Sequence, residues 1–127
     1  MSRVVHFEIP ARDVEKMKNF YTGVLGWKFV NWGGGEQDYW LITTGEDGTP
    51  GINGGFSTPE GPFQTVVNTV DVEDLDDVLV KLLANGGEII FPKDAVRGVG
   101  WLAYARDPEG NVFGMMQADT GAGMETG

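Results

Sequence analysis

The sequence predicts an α+β protein made of two βαβββ modules, joined as a half-open, cup-shaped mixed sheet with its helices outside. Three observations predict this. Hydrophobic spacing switches along the chain between two residues and three to four residues, the periods of strand and helix. The order strand, helix, three strands occurs twice. Glycine or proline stands at nearly every element end, where backbone freedom or a missing N–H stops a run.

The first module occupies about residues 4–57. Val5, Phe7 and Ile9 point to one face of the opening strand, His6 and Glu8 to the other. Pro10 ends the strand because it has no N–H for a ladder. Asp13 caps a helix whose first turn carries Glu15 at its positive end. Val14, Met17, Phe20, Tyr21, Val24 and Leu25 form the stripe expected to be buried, and Gly26 stops the helix. Trp27–Trp32 reads as a strand, and Gly33, Gly34 and Gly35 break it. Asp38–Thr44 is rich in aromatic and β-branched residues and reads as the next strand. After a turn at Glu46-Asp47-Gly48 comes a short, glycine-rich strand, Gly51–Ser57.

Thr58–Pro62 has the composition of a linker, and the second module occupies about residues 63–118. Phe63–Val72 reads as a strand. Asp71-Val72-Glu73 repeats the Asp13-Val14-Glu15 pattern as a helix opening. Leu75, Val78, Leu79, Leu82 and Leu83 form the helical stripe, which Asn85-Gly86-Gly87 stops. Glu88–Pro92, Trp101–Arg106 and Val112–Ala118 are strands. Asp107-Pro108-Glu109-Gly110 fits a type I turn, with proline second and glycine fourth. Residues 119–127 read as a flexible tail.

The 127 residues suffice for one core, and a hydrophobic fraction of 41% argues against disorder. No apolar run approaches the length that spans a bilayer. The chain has no cysteine, which excludes disulfides and thiolate chemistry and makes a cytoplasmic home the simplest expectation. A net charge of −10 disfavours nucleic acid and anionic membranes as partners and mildly favours a cationic ligand, beside its plain role in solubility. The acidic run Asp71, Glu73, Asp74, Asp76, Asp77 suits a helix N-terminus and a wet face. Neither a serine–histidine–acid set nor a phosphate loop is visible.

His6 is the only histidine, and it shares its strand face with Glu8. Together they can carry protons near neutral pH, or His6 can satisfy a hydrogen bond inside the cup. These two are the candidate catalytic residues. The aromatic set Trp32, Tyr39, Trp40, Trp101 and Tyr104 can line a cavity or fill the core. Alternation separates Trp101, Ala103 and Ala105 from Leu102, Tyr104 and Arg106, so not all of them face a ligand. Met116 shares parity with Gly114 and is the cavity-side methionine; Gln117 is expected at an outer or interface position. Asn53 is a polar anchor among glycines. The candidate ligand-binding set is therefore Trp40, Asn53, Trp101, Tyr104, Gly114 and Met116.

His6, Asp13, Phe20-Tyr21, Leu25-Gly26 and the turn Asp107-Pro108-Glu109-Gly110-Asn111 resemble the vicinal oxygen chelate superfamily, the group of glyoxalase I, bleomycin and fosfomycin resistance proteins and extradiol dioxygenases. The resemblance runs from about Val4 to Ala118. It is nearest to glyoxalase-like proteins with GINGG and VGWLAYARDPEGN segments. It implies the cup-shaped fold, a homodimer, and a divalent cation held by His and Glu from strands of both modules. Carried over position by position, His6 matches the first ligand. Gly51–Ser57, Gln64–Val67 and Gly114 supply no ligand at the other positions. A catalytic cation wants about three protein ligands, so no metal is the expectation, with a divalent metal as the alternative.

Three functions compete. One is a protein of bleomycin-resistance type that binds a small molecule, possessing no cofactor. The second is a metal-independent lyase or isomerase using His6 and Glu8. The third is a glyoxalase-type metalloenzyme, which rests on fold alone. Acidity, aromatics and the missing ligands lean toward the first.

Overall fold

The computed structural model describes residues 1–32 and 39–124. The three-glycine break at Gly33–Gly35, the expected strand start at Asp38 and the last three residues of the tail lie outside them. In chain order the elements are β1 (Val4–Pro10), α1 (Val14–Leu25), β2 (Lys28–Asn31), β3 (Trp40–Thr43), β4 (Asn53–Ser57), β5 (Val67–Asp71), α2 (Leu75–Ala84), β6 (Glu88–Val96), β7 (Gly100–Arg106) and β8 (Val112–Ala118). This is βαβββ twice, an α+β fold. The chain divides into two compact units, Val5–Val67, and the remainder from Asn68 together with Met1–Val4.

In the first unit the strands follow the order β2-β3-β4-β1. β1 runs parallel to β4, pairing His6 with Asn53 and Glu8 with Gly55. β3 runs antiparallel to both β2 and β4. α1 begins where Asp13 accepts a hydrogen bond from the Lys16 N–H, and it ends at Gly26, whose φ of 73° is the left-handed value glycine adopts freely. Its packed stripe is narrower than the spacing predicts. Val14, Met17 and Tyr21 pack on Ile9, Ala11, Ile42 and Phe56 together with Phe7, Trp27, Phe29 and Trp40. Tyr21 stacks on Trp27, ring centres 4.8 Å apart. These aromatics already fill the layer between helix and sheet. Phe20 is left 56% exposed, and Val24 and Leu25 are exposed with it.

In the second unit the order is β5-β8-β7-β6, with β5 parallel to β8 and the others antiparallel. β5 is shorter than expected and begins at Val67. Asp71 does not open the helix. Its backbone N–H bonds the Arg3 carbonyl, and pairing continues through Val72 N–H to the Met116 carbonyl. The cap is Asp74, which accepts from the Asp77 N–H at 3.1 Å. Gln117, expected at an outer position, reaches α2: its Oε1 accepts from the Leu75 N–H at 2.8 Å, satisfying a first-turn donor that has no intrahelical partner. The core is Val72, Leu75, Ala103, Ala105 and Met115, with Trp101 and Phe113 packed against it. Fully burying a side chain such as Leu75 or Met115 stabilises by about 1.5–3 kcal/mol.

The turn after β7 closes as expected, with Gly110 N–H donating to the Asp107 carbonyl at 2.9 Å. The Asp107 carboxylate accepts from Asn111 Nδ2 and from the Asn111 and Glu109 N–H groups, and these bonds hold its pKa below the usual carboxylate value. Residues Asp119 to Met124, read from composition as flexible, are tied down. Ala122 is buried, its carbonyl accepts from the Gly98 N–H, and the Asp119 N–H bonds the Val99 carbonyl.

Candidate functional site

Strand alternation in β1 sends Phe7 and Ile9 into the packed layer under α1 and leaves His6 and Glu8 on the opposite, helix-free face. There they meet. His6 Nε2 lies 2.8 Å from Glu8 Oε1. A third residue joins them: the Tyr39 hydroxyl donates to the same Glu8 Oε1 at 2.5 Å and stands 3.2 Å from His6 Nε2. An O–H···O bond of that length is characteristic of a charged acceptor. The side chains of His6 and Glu8 are 30% and 14% exposed.

Tyr39 belongs here because of Gly55. Glu8 and Gly55 are ladder partners, and a Cβ placed on Gly55 would collide with the Tyr39 hydroxyl and ring. The glycine thus opens the space through which the phenol reaches the carboxylate. In the sequence Tyr39 is one of several aromatics able to line a cavity, and its bond to Glu8 is not among the expectations. Its signals were the parity that sets Tyr39 against Trp40 and the side-chain-free position in GINGG.

The polar set is asymmetric. Glu8 Oε1 takes two partners, whereas Glu8 Oε2 is buried with no hydrogen-bond partner among the described residues. Buried carboxylate oxygens are nearly always satisfied, so this atom calls for a donor from outside the described residues, while its sister oxygen holds the carboxylate in place.

The other candidates divide between faces. Trp40 packs on the helix side of the first unit, with Lys18 Nζ 3.5 Å from its ring centre, so it is not on the His6 face. Asn53 is exposed and closes the β3–β4 connection, its Oδ1 accepting from the Thr44 N–H at 2.9 Å. In the second unit Trp101 packs on the α2 cluster, and its Nε1 donates to Asp119 at 3.0 Å, which lowers the Asp119 pKa. Tyr104, Gly114 and Thr69 meet on the other face of that sheet: a Cβ on Gly114 would touch both side chains. Met116, ladder partner of Leu102, shares that parity, and Tyr104 meets Phe91 edge-on. Within the first unit His6, Glu8 and Tyr39 are brought together and Trp40 is core-side. Within the second unit Trp101 is core-side, and Tyr104 and Gly114 meet on the face whose parity Met116 shares.

The two modules are in register with each other. His6 stands seven residues before the capping Asp13, and Val67 seven before the capping Asp74. Glu8 pairs with Gly55 as Thr69 pairs with Gly114. The positions at which metal-binding relatives are expected to present ligands are therefore His6, Gly55, Val67 and Gly114. Only His6 has a donor side chain, and the space beyond Gly55 holds the Tyr39 phenol. Among the described residues no three His, Cys, Asp or Glu side chains stand together. This donor set does not fit the cation that the fold family implies.

A duplicated βαβββ chain with a histidine on the open face of its first strand defines a class, and comparison with known proteins agrees. Residues 3–115 match the Glyoxalase/Bleomycin resistance protein/Dioxygenase superfamily, and the chain belongs to that superfamily. It is 29% identical over 118 residues to the glyoxylase-like protein CFP32 of Mycobacterium tuberculosis and Mycobacterium bovis, covering 88% of this chain but 44% of theirs. The chain thus spans less than half the length of these curated relatives. Among solved structures it is similar to hypothetical protein BH1468 of Bacillus halodurans (TM-score 0.68, 14% identity, 93% of this chain and 95% of that one). It is also similar to methylmalonyl-CoA epimerase of Mycobacterium tuberculosis (TM-score 0.63, 16% identity, 91% and 87%). At these identities the structures speak for the fold. No helix among the described residues is long and apolar enough to cross a membrane.

Proposed function

We propose that this protein binds a small molecule on the helix-free face of its first unit, without a metal ion, and works as a homodimer. The observation that carries the reading is Glu8 Oε2, buried and without a partner among the described residues, beside an Oε1 that two side chains hold. Leaving such an acceptor unsatisfied costs about 1–3 kcal/mol or more, which a ligand hydroxyl, amide or ammonium group would recover. The net charge of −10 adds a preference for a cationic group. Tyr39 and His6 fix the carboxylate, so little of its rotamer freedom is lost on binding.

A second reading is a metal-independent lyase or isomerase. It is favoured by the direct contact of His6 with Glu8, which gives a proton carrier on each side of one hydrogen bond. Glyoxalase-type metal chemistry draws less support, because three of its four ligand positions are Gly55, Val67 and Gly114.

The test is a thermal-shift screen of metabolites and antibiotics that includes amines, followed by calorimetric titration of the hits. Glu8→Gln and His6→Ala should each weaken binding by roughly tenfold or more with the fold intact. Equal affinity for wild type and Glu8→Gln would overturn the assignment. One equivalent of bound metal that disappears on His6→Ala would overturn its metal-free part.

A further inference from the structure

The second unit contains an opening that the His6 site does not involve. Between α2 and the sheet beneath it lies a cleft of about 310 Å³. It is lined by the partly buried Val70, Val78, Leu82 and Phe113, by Val72 and Met115, which are themselves buried core residues, and by the charged Lys81, Arg106 and Asp107. All belong to one unit, on the side of the sheet that carries the packed core. Small-molecule sites begin near this volume and have this build, apolar walls with a few polar groups that orient the ligand. The volume is roughly that of ten waters, enough for a medium-length aliphatic chain.

We propose that this cleft binds an amphipathic anion, an aliphatic chain ending in a carboxylate, with the chain against the apolar walls and the carboxylate at Arg106 and Lys81. Charge complementarity selects this occupant. The chain has 19 acidic and nine basic residues, yet two of those nine border one apolar cleft. The ion pair of Arg106 is long, 3.8 Å to an exposed Glu88 oxygen, so its guanidinium fork remains able to take a carboxylate in bidentate fashion. Lys81 is held by Asp77 at 2.9 Å on the exposed helix surface, a pair weak enough to share its ammonium. Asp107 also lines the cleft and stays charged, but its lone pairs are taken by three donors of its own turn, which leaves Arg106 and Lys81 as the groups facing a carboxylate.

The experiment titrates the full chain with sodium decanoate, and with 1-decanol and decyltrimethylammonium as neutral and cationic matches, by calorimetry and amide chemical shifts. Decanoate should bind one to one, shift resonances of Val78, Leu82 and Phe113, and bind more tightly than either match. Arg106→Gln, at a partly exposed position, should melt like wild type and weaken decanoate by roughly tenfold. Val78→Trp should fill the cleft and abolish binding, whereas His6→Ala should leave it unchanged. Decanol or the ammonium binding as well as decanoate would overturn the proposal. So would full affinity in Arg106→Gln, or protein self-association that occupies the same residues without ligand.

Discussion

Gly55→Ala tests the construction of the polar set. A methyl group at Gly55 would sit 2.6 Å from Tyr39 Cζ and 3.0 Å from Cε1, well inside the separation of about 3.5–4.0 Å at which such atoms attract. Gly55 is not in the left-handed region, so alanine brings no backbone strain there. The ring must therefore move, and Glu8 loses its 2.5 Å donor. Overpacking of this kind costs about 1–3 kcal/mol. A hydrogen bond to a charged group is worth about 1.5–3 kcal/mol. The two costs share one displacement, and the stiffer unfolded chain returns about 0.4–1 kcal/mol. The net expectation is a loss of about 2–3 kcal/mol. In a Tyr39→Leu background the methyl meets no phenol, and the same substitution should be nearly neutral. Urea unfolding of the four proteins, followed by far-ultraviolet circular dichroism, gives the coupling directly. A coupling of about 2 kcal/mol supports the arrangement. Additivity within about 0.5 kcal/mol would show that Tyr39 does not occupy the space above Gly55.

Other outcomes follow from the same structure. Gln117→Ala should cost about 1–3 kcal/mol in chemical denaturation, because it strands the Leu75 N–H in a buried position; a change below about 0.5 kcal/mol would refute that cap. Phe20→Ala should cost less than about 1 kcal/mol, whereas Met115→Ala should cost about 2–5 kcal/mol, and equal losses would contradict the exposure of Phe20. The pKa of Asp107 is lowered on folding, so its stabilising effect is present above the ordinary carboxylate value and is lost as pH falls through the lower folded value. Asp107→Asn should accordingly flatten the decline in melting temperature between about pH 5 and pH 2, and an unchanged decline would assign it to other carboxylates.

Much of this fold was legible because it depends on local chemistry. The capping Asp13, the stop at Gly26, the Asp107–Asn111 turn and the alternation in Val112–Ala118 act over a few residues, and their positions hold in the structure. The pairing of His6 with Glu8 on the face away from α1 followed from the two-residue period of a strand. The windows Gly51–Ser57 and Gln64–Val67 offered no ligand side chain in the sequence, but Gly55 and Val67 were singled out within them only by strand pairing and the cap at Asp74.

Tertiary structure decided what depends on neighbours distant in sequence. Asp13-Val14-Glu15 and Asp71-Val72-Glu73 look alike, but only Asp13 caps. Asp71 is claimed by backbone pairing with Arg3, which leaves Asp74 as the cap. Phe20 has the spacing of a core residue and is exposed, since Phe7, Trp27 and Phe29 fill the layer it would enter. Trp40 and Tyr39 are adjacent aromatics with opposite fates, one under Lys18 in the core and the other on Glu8. Composition treats them alike. A side chain's periodicity states which way it points. What waits there, a space opened by Gly55 or a layer already full of rings, exists only once strands from other parts of the chain have been laid beside it.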